Sequence, residues 1–129
     1  MSGLLAECPC GTGVPYAACC GPVHEGESAV TAEQLMRSRY CAYALGRTEH
    51  VARTWHPRTR PDDVAPSPGL TWTCLRVLQA VAGGPGDDRG TVEFEAAYSG
   101  PDGTGTLHET SRFERRRGHW VYVDGEVPG

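Results

Sequence analysis

The 129-residue sequence contains no lysine, no isoleucine and no asparagine. All 12 basic side chains are therefore arginines, and chemistry through a Schiff base on a lysine ε-amino group is excluded. The formal net charge of −4 disfavours a general nucleic-acid-binding role, since such domains carry a basic face. One basic run exists, Arg115-Arg116-Arg117, beside a predicted turn at Gly118. We expect this turn to be solvated, with contact to RNA or a ribosome as the alternative.

The sequence also lacks a long apolar run. No stretch is long and apolar enough to span a bilayer, and the amino terminus has neither the charge nor the hydrophobic run of a secretory signal. A cytoplasmic protein without membrane association is the expectation. Thiols stay reduced in that compartment, so clustered cysteines indicate metal binding more than a disulfide framework.

Four of the six cysteines stand close together in the segment CPCGTGVPYAACCG. They are Cys8, Cys10, Cys19 and Cys20. Two close pairs are typical of a zinc site in which four thiolates surround the ion at about 2.3 Å. Because four thiolates leave no position open for water or substrate, we expect a structural Zn²⁺. Adjacent cysteines point apart in a regular helix, so the helix predicted after Pro15 should end at Gly21-Pro22. Cys41 and Cys74 are expected to be free and buried.

The cysteine segment resembles the SEC-C zinc motif, which occurs at the end of the bacterial preprotein translocase motor and in many otherwise unrelated proteins. Four further blocks resemble the YchJ-like (UPF0225) family: LMRSRYCAYALG (residues 35–46), TWHP (54–57), HETSRF (108–113) and WVYVDG (120–125). The resemblance covers nearly the whole chain. It implies a zinc knuckle over residues 1–26 and, over residues 27–129, an NTF2-like cone in which helices pack on a curved antiparallel sheet. We expect chelation to unfold the knuckle alone.

The periodicity of the sequence independently predicts an α+β layout. Thr31 should cap a helix that ends at Gly46, and a second short helix should run from a Thr48 cap to about Trp55. Strands are predicted over residues 70–81, 91–98, 106–116 and 119–124, separated by glycine-rich turns. Helices followed by antiparallel strands joined by hairpins are typical of an α+β domain with separate layers.

One charged residue falls on the apolar face of the first long helix, namely Arg39. A buried guanidinium needs a partner, so this residue either forms a structural contact or holds an anionic ligand in a pocket. Glu109 shares a strand face with Phe113 and is the natural partner of Arg39. The polar candidates for such a pocket are Arg39, Tyr43, His56, His108, Glu109, Ser111 and Asp124.

Two classes of function fit the sequence. In the first, the chain is a zinc-containing binding or adaptor module. Its knuckle contacts a protein or ribonucleoprotein partner, ribosome-linked or secretion-linked, through Val14, Tyr16 and His24-Glu25, while the cone holds a small ligand. Tyr16 packing back onto the domain is an equal alternative. In the second class the cone is an enzyme pocket for isomerase, dehydratase or hydrolase chemistry, by analogy with other NTF2-like proteins. A homodimer is compatible with either class.

Overall fold

The computed structural model describes residues 7–64 and 69–127 and shows an α+β fold, as the sequence predicts. A 3₁₀ turn at Tyr16–Ala18 precedes helices α1 (Cys20–His24), α2 (Ala32–Leu45) and α3 (Thr48–Arg53), and these precede strands β1 (Thr71–Ala82), β2 (Arg89–Gly100), β3 (Gly103–Arg116) and β4 (His119–Glu126). The helices thus come first along the chain and the strands last.

Both ends of helix α2 are defined by local chemistry that the sequence predicts. The Thr31 side chain accepts a hydrogen bond from the Gln34 amide at 3.0 Å, and Gly46 ends the helix in the left-handed conformation (φ 75°). The predicted cap of α3 is wrong by one residue. Thr48 is the first helical residue, and Arg47 precedes it without a side-chain capping bond.

The four strands form one antiparallel sheet in the order β1-β2-β3-β4. Each predicted strand is present; β1 has the predicted length but begins one residue later, and the other three strands are longer than predicted. Register shifts interrupt the pairing twice between β1 and β2 and once between β3 and β4, the last lying between Arg112 and Phe113. Such bulges bend a strand, so this sheet is not a flat surface.

The segment after α3 attaches to the edge strand β4. The Tyr122 amide donates to the Thr54 carbonyl at 2.8 Å, and the His56 amide donates to the Tyr122 carbonyl at 2.8 Å. These two bonds fix Trp55 in a parallel bridge with Tyr122. Trp55 is thereby held alongside the edge strand β4.

The hydrophobic core extends without interruption into the amino-terminal segment. Cys8, Cys10 and Cys20 belong to the same buried cluster as Leu35 of α2 and Phe113 of β3. The predicted domain boundary between residues 26 and 27 stays a prediction, but packing is continuous across it. Removal of the knuckle would therefore expose part of the main core.

Candidate metal centre and ligand cavity

The four clustered cysteines bring their sulfurs to one place. The Sγ atoms of Cys8, Cys10, Cys19 and Cys20 all lie within 4.8 Å of one another. The Cys10 and Cys19 sulfurs are 3.6 Å apart, close to the edge of about 3.8 Å that a tetrahedral zinc–thiolate shell requires. Three of these residues are buried and Cys19 is half-buried. The four sulfurs and their spacing therefore fit a metal ion that is coordinated by four thiolates.

A break in the helical backbone allows the adjacent cysteines to face one point. Cys19 separates the 3₁₀ turn from α1 and has a non-helical backbone (φ −125°, ψ −99°). The prediction that a helix ends at Gly21-Pro22 is wrong, since both residues lie inside α1. Proline is tolerated there because the first turn of a helix does not use its own amide hydrogens. The helical backbone is interrupted at Cys19, directly before Cys20.

Two uncharged side chains contact the sulfurs from outside the cluster. The Thr12 hydroxyl oxygen lies 3.2 Å from the Cys19 sulfur and 3.7 Å from the Cys10 sulfur. This oxygen accepts a hydrogen bond from the Val14 amide at 3.3 Å, which leaves its own proton free for a sulfur. On the opposite side, the Cys41 sulfur of α2 lies 3.7 Å from that of Cys8.

The structure places the two remaining cysteines differently from each other. Cys41 is buried as predicted, whereas Cys74 on β1 is exposed, contrary to the prediction. The sequence does not predict the contact of Cys41 with the cluster, because α2 lies outside the cysteine segment and only tertiary packing joins them.

The thiols of the cluster differ strongly in acidity. A hydrogen bond from the Cys20 side chain lowers the pKa of the Cys10 thiol to about 4, and the same bond raises the pKa of Cys20. Burial raises the pKa of the Cys8 thiol to about 12. Metal ligation requires thiolates, so an incoming ion must displace protons from the buried sulfurs. Metal affinity should therefore fall at low pH.

A cavity of about 300 Å³ lies between α2 and the sheet. Its walls are Met36, Arg39, Tyr40, Tyr43, Trp55, Trp72, Phe94, Ala96, Leu107, Glu109, Ser111, Phe113 and Tyr122. Alternate residues of β3 face it, as the period of a strand predicts. Of the seven predicted pocket residues, the structure brings together Arg39, Tyr43, Glu109 and Ser111.

The other three predicted pocket residues lie outside this cavity. His108 is on the opposite face of β3, where its Nε2 is 2.6 Å from a Glu93 carboxylate oxygen. Asp124 is exposed and accepts a hydrogen bond from Arg112 at 2.6 Å. His56 follows α3, and its Nδ1 accepts a hydrogen bond from the Arg58 amide at 3.0 Å. Strand alternation accounts for His108, and surface ion pairing accounts for Asp124.

Arg39 is only 6% exposed and is held by the segment that follows α2. It donates to the Val51 carbonyl at 2.9 Å and to the Thr54 hydroxyl at 2.8 Å. Its Cζ lies 5.0 Å from the Trp55 ring centroid and 4.6 Å from that of Tyr122, so both rings attract the cation. Burial lowers the pKa of Arg39 to about 10, and the group therefore stays charged at neutral pH.

Glu109 has its own direct partners in the cavity. Its carboxylate accepts hydrogen bonds from Ser111 at 2.6 Å and from the Tyr122 hydroxyl at 3.2 Å. Among the described residues, no ion pair or hydrogen bond joins Glu109 to Arg39, so the prediction that they pair directly is wrong. The two charges interact through space, since Glu109 favours the charged form of Arg39. Gly125 makes room for the carboxylate, because a Cβ atom there would collide with it.

One donor near the cavity lacks an acceptor. Within residues 7–64 and 69–127, the Trp55 Nε1–H is the single buried side-chain polar group without a hydrogen-bond partner. An unpaired buried donor costs about 1–3 kcal/mol. Because Trp55 also lines the cavity, this donor is a candidate contact for a bound molecule.

Comparison with known proteins places the chain in a family. A model of the YchJ middle NTF2-like domain matches residues 31–125, and a model of the SEC-C motif matches residues 6–22. The chain belongs to the YchJ-like (UPF0225) family. A UPF0225 protein of Streptomyces coelicolor is 52% identical over 120 residues, which cover 92% of this chain and 94% of the relative. A UPF0225 protein of Deinococcus radiodurans is 50% identical over 119 residues, or 91% of this chain and 86% of the relative.

Solved structures agree with the YchJ-like assignment. A SEC-C motif containing protein from Rhodopseudomonas palustris is similar with a TM-score of 0.83 and 37% identity, covering 95% of this chain and 98% of that one. A second one, from Psychrobacter arcticus, has a TM-score of 0.79 and 28% identity, covering 100% and 86%. A putative Ca/calmodulin-dependent kinase II association domain from Exiguobacterium sibiricum shares only the fold, with a TM-score of 0.57 at 11% identity over 75% of this chain and 88% of that one. None of the helices in the described residues has the length and hydropathy to cross a bilayer.

In this YchJ-like chain, two of the four predicted partner-contact residues, Tyr16 and His24, are used in contacts within the protein. The Tyr16 hydroxyl hydrogen-bonds the His24 Nδ1 at 2.7 Å, and the His24 Nε2 donates to the Ser38 carbonyl at 2.8 Å. Both ring nitrogens of His24 are therefore used within the protein. Glu25 forms a 3.1 Å ion pair with Arg47. Val14 is 40% exposed, and Glu25 is exposed as well.

A second buried histidine, which sequence analysis missed, extends this network in the YchJ-like domain. The His50 Nδ1 accepts a hydrogen bond from Arg53 at 2.9 Å, so its Nε2 carries the proton and donates to the Ser38 hydroxyl at 2.9 Å. The His24 and His50 ring centroids are 4.6 Å apart. Burial lowers the pKa of His50 to about 3 and also lowers the pKa of His24. Both rings are therefore neutral in the folded protein at neutral pH.

Proposed function

We propose that this protein is a zinc-stabilised binding protein whose cavity receives a small molecule with an apolar body and an oxygen-rich, anionic end. The observation that carries the proposal is the juxtaposition of the buried Arg39 cation with the unpaired Trp55 donor at one cavity. Aromatic and aliphatic side chains form most of the wall. Such a combination of apolar walls with a few converging polar groups is typical of ligand sites.

The polar end of the cavity supports an anionic ligand group. Arg39 keeps its charge, and its contacts with Val51 and Thr54 fix its position before a ligand arrives. Ser111 and Tyr122 hold Glu109, so the carboxylate is itself hydrogen-bonded. A ligand oxygen that accepts from the Trp55 Nε1–H would remove the cost of the unpaired donor.

We propose zinc as the ion of the cysteine cluster. Thiolates are soft ligands, and a closed tetrahedral set of four sulfurs is typical of structural zinc. Cys8, Cys10, Cys19 and Cys20 would hold the ion, which would join the amino-terminal segment to the core. In this role the metal stabilises the fold and contacts no ligand of the cavity.

The test of cavity binding uses the zinc-loaded full chain and a panel of aromatic and aliphatic carboxylates. A binding compound should raise the melting temperature of the wild type. The Trp55→Phe variant keeps a ring and loses the donor, so the same compound should bind it more weakly. Arg76→Ser, on the exposed part of β1, is the control and should bind like the wild type. A panel without any shift, or equal shifts in wild type and Trp55→Phe, would count against the proposal.

A second candidate function is the adaptor role of the knuckle. It is favoured by the outer face of the knuckle, where residues 11–14 are exposed and Val14 contributes an apolar side chain. A protein partner, ribosome-linked or secretion-linked, would contact this face. Val14→Glu should abolish capture of ribosomal or secretion components while the zinc content stays unchanged. Capture that survives this substitution would rule out the exposed face.

The enzyme alternative has less support. His56 and His108 lie outside the cavity, so the histidine–carboxylate pair expected for isomerase, dehydratase or hydrolase chemistry does not meet there. Proton transfer in this cavity would have to use Glu109 and a tyrosine hydroxyl. Burial raises the pKa of Tyr43 and of Tyr122, which makes both poor acids at neutral pH.

A further inference from the structure

A second cavity, of about 350 Å³, forms a cleft between the helices and the β3–β4 hairpin. It shares no lining residue with the first cavity. Three arginines line it, Arg53 at the end of α3 and Arg116 and Arg117 at the hairpin, and His119 lies beside them. Leu35 and Trp120, both buried, contribute an apolar floor.

The three arginines of this cleft have no carboxylate partner within residues 7–64 and 69–127. Elsewhere the chain does pair arginines, as in the 3.0 Å contact of Arg37 with Glu33 and the 2.6 Å contact of Arg112 with Asp124. Among the residues that the structure describes, Glu27 is the single carboxylate that lines the cleft. The cleft is therefore positive although the whole chain carries a formal net charge of −4.

Hydrogen bonds hold two of the nitrogen-bearing side chains of the cleft, Arg53 and His119, in place. The Arg53 guanidinium donates to the His24 carbonyl at 3.2 Å and to the His50 Nδ1 at 2.9 Å, so it is directed by the buried histidine pair. The His119 Nδ1 is hydrogen-bonded to the Ser28 hydroxyl at 2.7 Å. Arg116 and Arg117 are exposed, and Arg117 begins the hairpin turn with a left-handed backbone (φ 52°).

The arrangement favours an oxyanion. Like charges that face one concave site repel each other, and the low-dielectric walls of a cleft strengthen their field. A guanidinium presents paired N–H donors that match the oxygens of phosphate. A cavity of this size stands at the lower end of the range for small-ligand sites, which indicates a molecule rather than a polymer.

We propose that the cleft between α3 and the β3–β4 hairpin binds a small phosphorylated molecule. Its phosphate group contacts Arg116 and Arg117 at the rim, with Arg53 and His119 behind them, and its uncharged part lies against the apolar floor. The site is independent of the carboxylate-binding cavity, so one can exist without the other.

The experiment titrates the zinc-loaded full chain with inorganic pyrophosphate and with a nucleoside monophosphate at low salt, and follows the heat of binding. The double variant Arg116→Ser/Arg117→Asn removes two charges, and asparagine suits the left-handed turn. Arg76→Ser/Arg89→Ser removes the same charge from exposed positions of β1 and β2 that do not line the cleft. The hairpin variant should bind about tenfold more weakly or worse, and the control should bind like the wild type.

Two outcomes would overturn the proposal: no binding of either probe to the wild type, and equal weakening in both double variants. If neither probe binds but a single-stranded RNA oligonucleotide does, the hairpin is assigned to RNA contact instead. A melting temperature of the hairpin variant equal to that of the control shows that any loss of binding is not a loss of folding.

Discussion

Loss of the two hydrogen-bond donors beside the cysteine cluster should weaken zinc binding without removing a ligand. Four thiolates and one Zn²⁺ carry a net charge of −2, and most of this charge is buried. Thr12 contacts the sulfurs of Cys10 and Cys19. The Cys41 sulfur lies 3.7 Å from that of Cys8. The two donors thus cover different halves of the shell.

The expected size follows from this division. Removal of an outer partner of a metal ligand typically lowers metal affinity about 10–100-fold. Thr12→Val keeps the shape of the side chain and loses the hydroxyl, and Cys41→Ala loses the thiol. Because the two donors serve different sulfurs, their effects should nearly add in free energy, and the double variant should lose about 10²–10⁴-fold.

The assay is competition for zinc between the protein and a chromophoric chelator at fixed pH. Thr12→Ser and Cys41→Ser keep a donor and should recover much of the affinity. Cys74→Ala removes an exposed thiol that does not belong to the cluster, and it serves as the control. If Thr12→Val and Cys41→Ala both bind zinc as tightly as the wild type, the outer donors do not stabilise the shell. If the wild type itself binds no zinc, the metal assignment fails before this question arises.

Three further predictions concern the folded state. The pKa of His50 is lowered to about 3, so between about pH 3 and 6.5 the unfolded chain takes up a proton at His50 and the folded chain does not. The free energy of unfolding should therefore fall below pH 6.5 by up to about 1.4 kcal/mol per pH unit. His50→Gln but not His119→Gln should flatten this slope in urea melts. Gly125→Ala should displace the Glu109 carboxylate from its hydrogen bonds and cost about 1–3 kcal/mol in denaturant melts, whereas Gly86→Ala, with no atom within 4 Å of the added Cβ, should cost much less. Chelation should lower one common melting transition, because the cysteines share the main core; two separate transitions would instead support independent units divided near Glu27.

The sequence predicts well those features that local chemistry controls. Thr31 and Gly46 set the ends of α2, and the strand period places Glu109 and Ser111 on the cavity side of β3. The same alternation already puts His108 on the other face, so this candidate could have been excluded from the sequence. Local patterns are sufficient for these decisions because neighbouring residues determine them.

Tertiary packing decides the features that the sequence does not predict. The partner of Arg39 is a pair of aromatic rings and two oxygens after α2, whereas a count of charges pointed to Glu109. The bulge beside Phe113 changes the register with β4, and it therefore governs where Asp124 lies. No local pattern reports that Cys41 reaches the cysteine cluster or that His24 meets His50.

Helix α2 touches both the metal centre and the first cavity. Arg37 donates to the Cys10 carbonyl at 2.7 Å, and Cys41 touches the Cys8 sulfur, while Met36, Arg39 and Tyr40 face the cavity. An ion that fixes Cys8 and Cys10 therefore also constrains the middle of α2, where the cavity residues alternate with the contacts to the cluster. If the loaded arrangement of α2 suits a cavity ligand better, that ligand must tighten metal binding by the same factor, because coupling between two equilibria is reciprocal. The availability of the metal would then set how tightly the cavity binds its ligand.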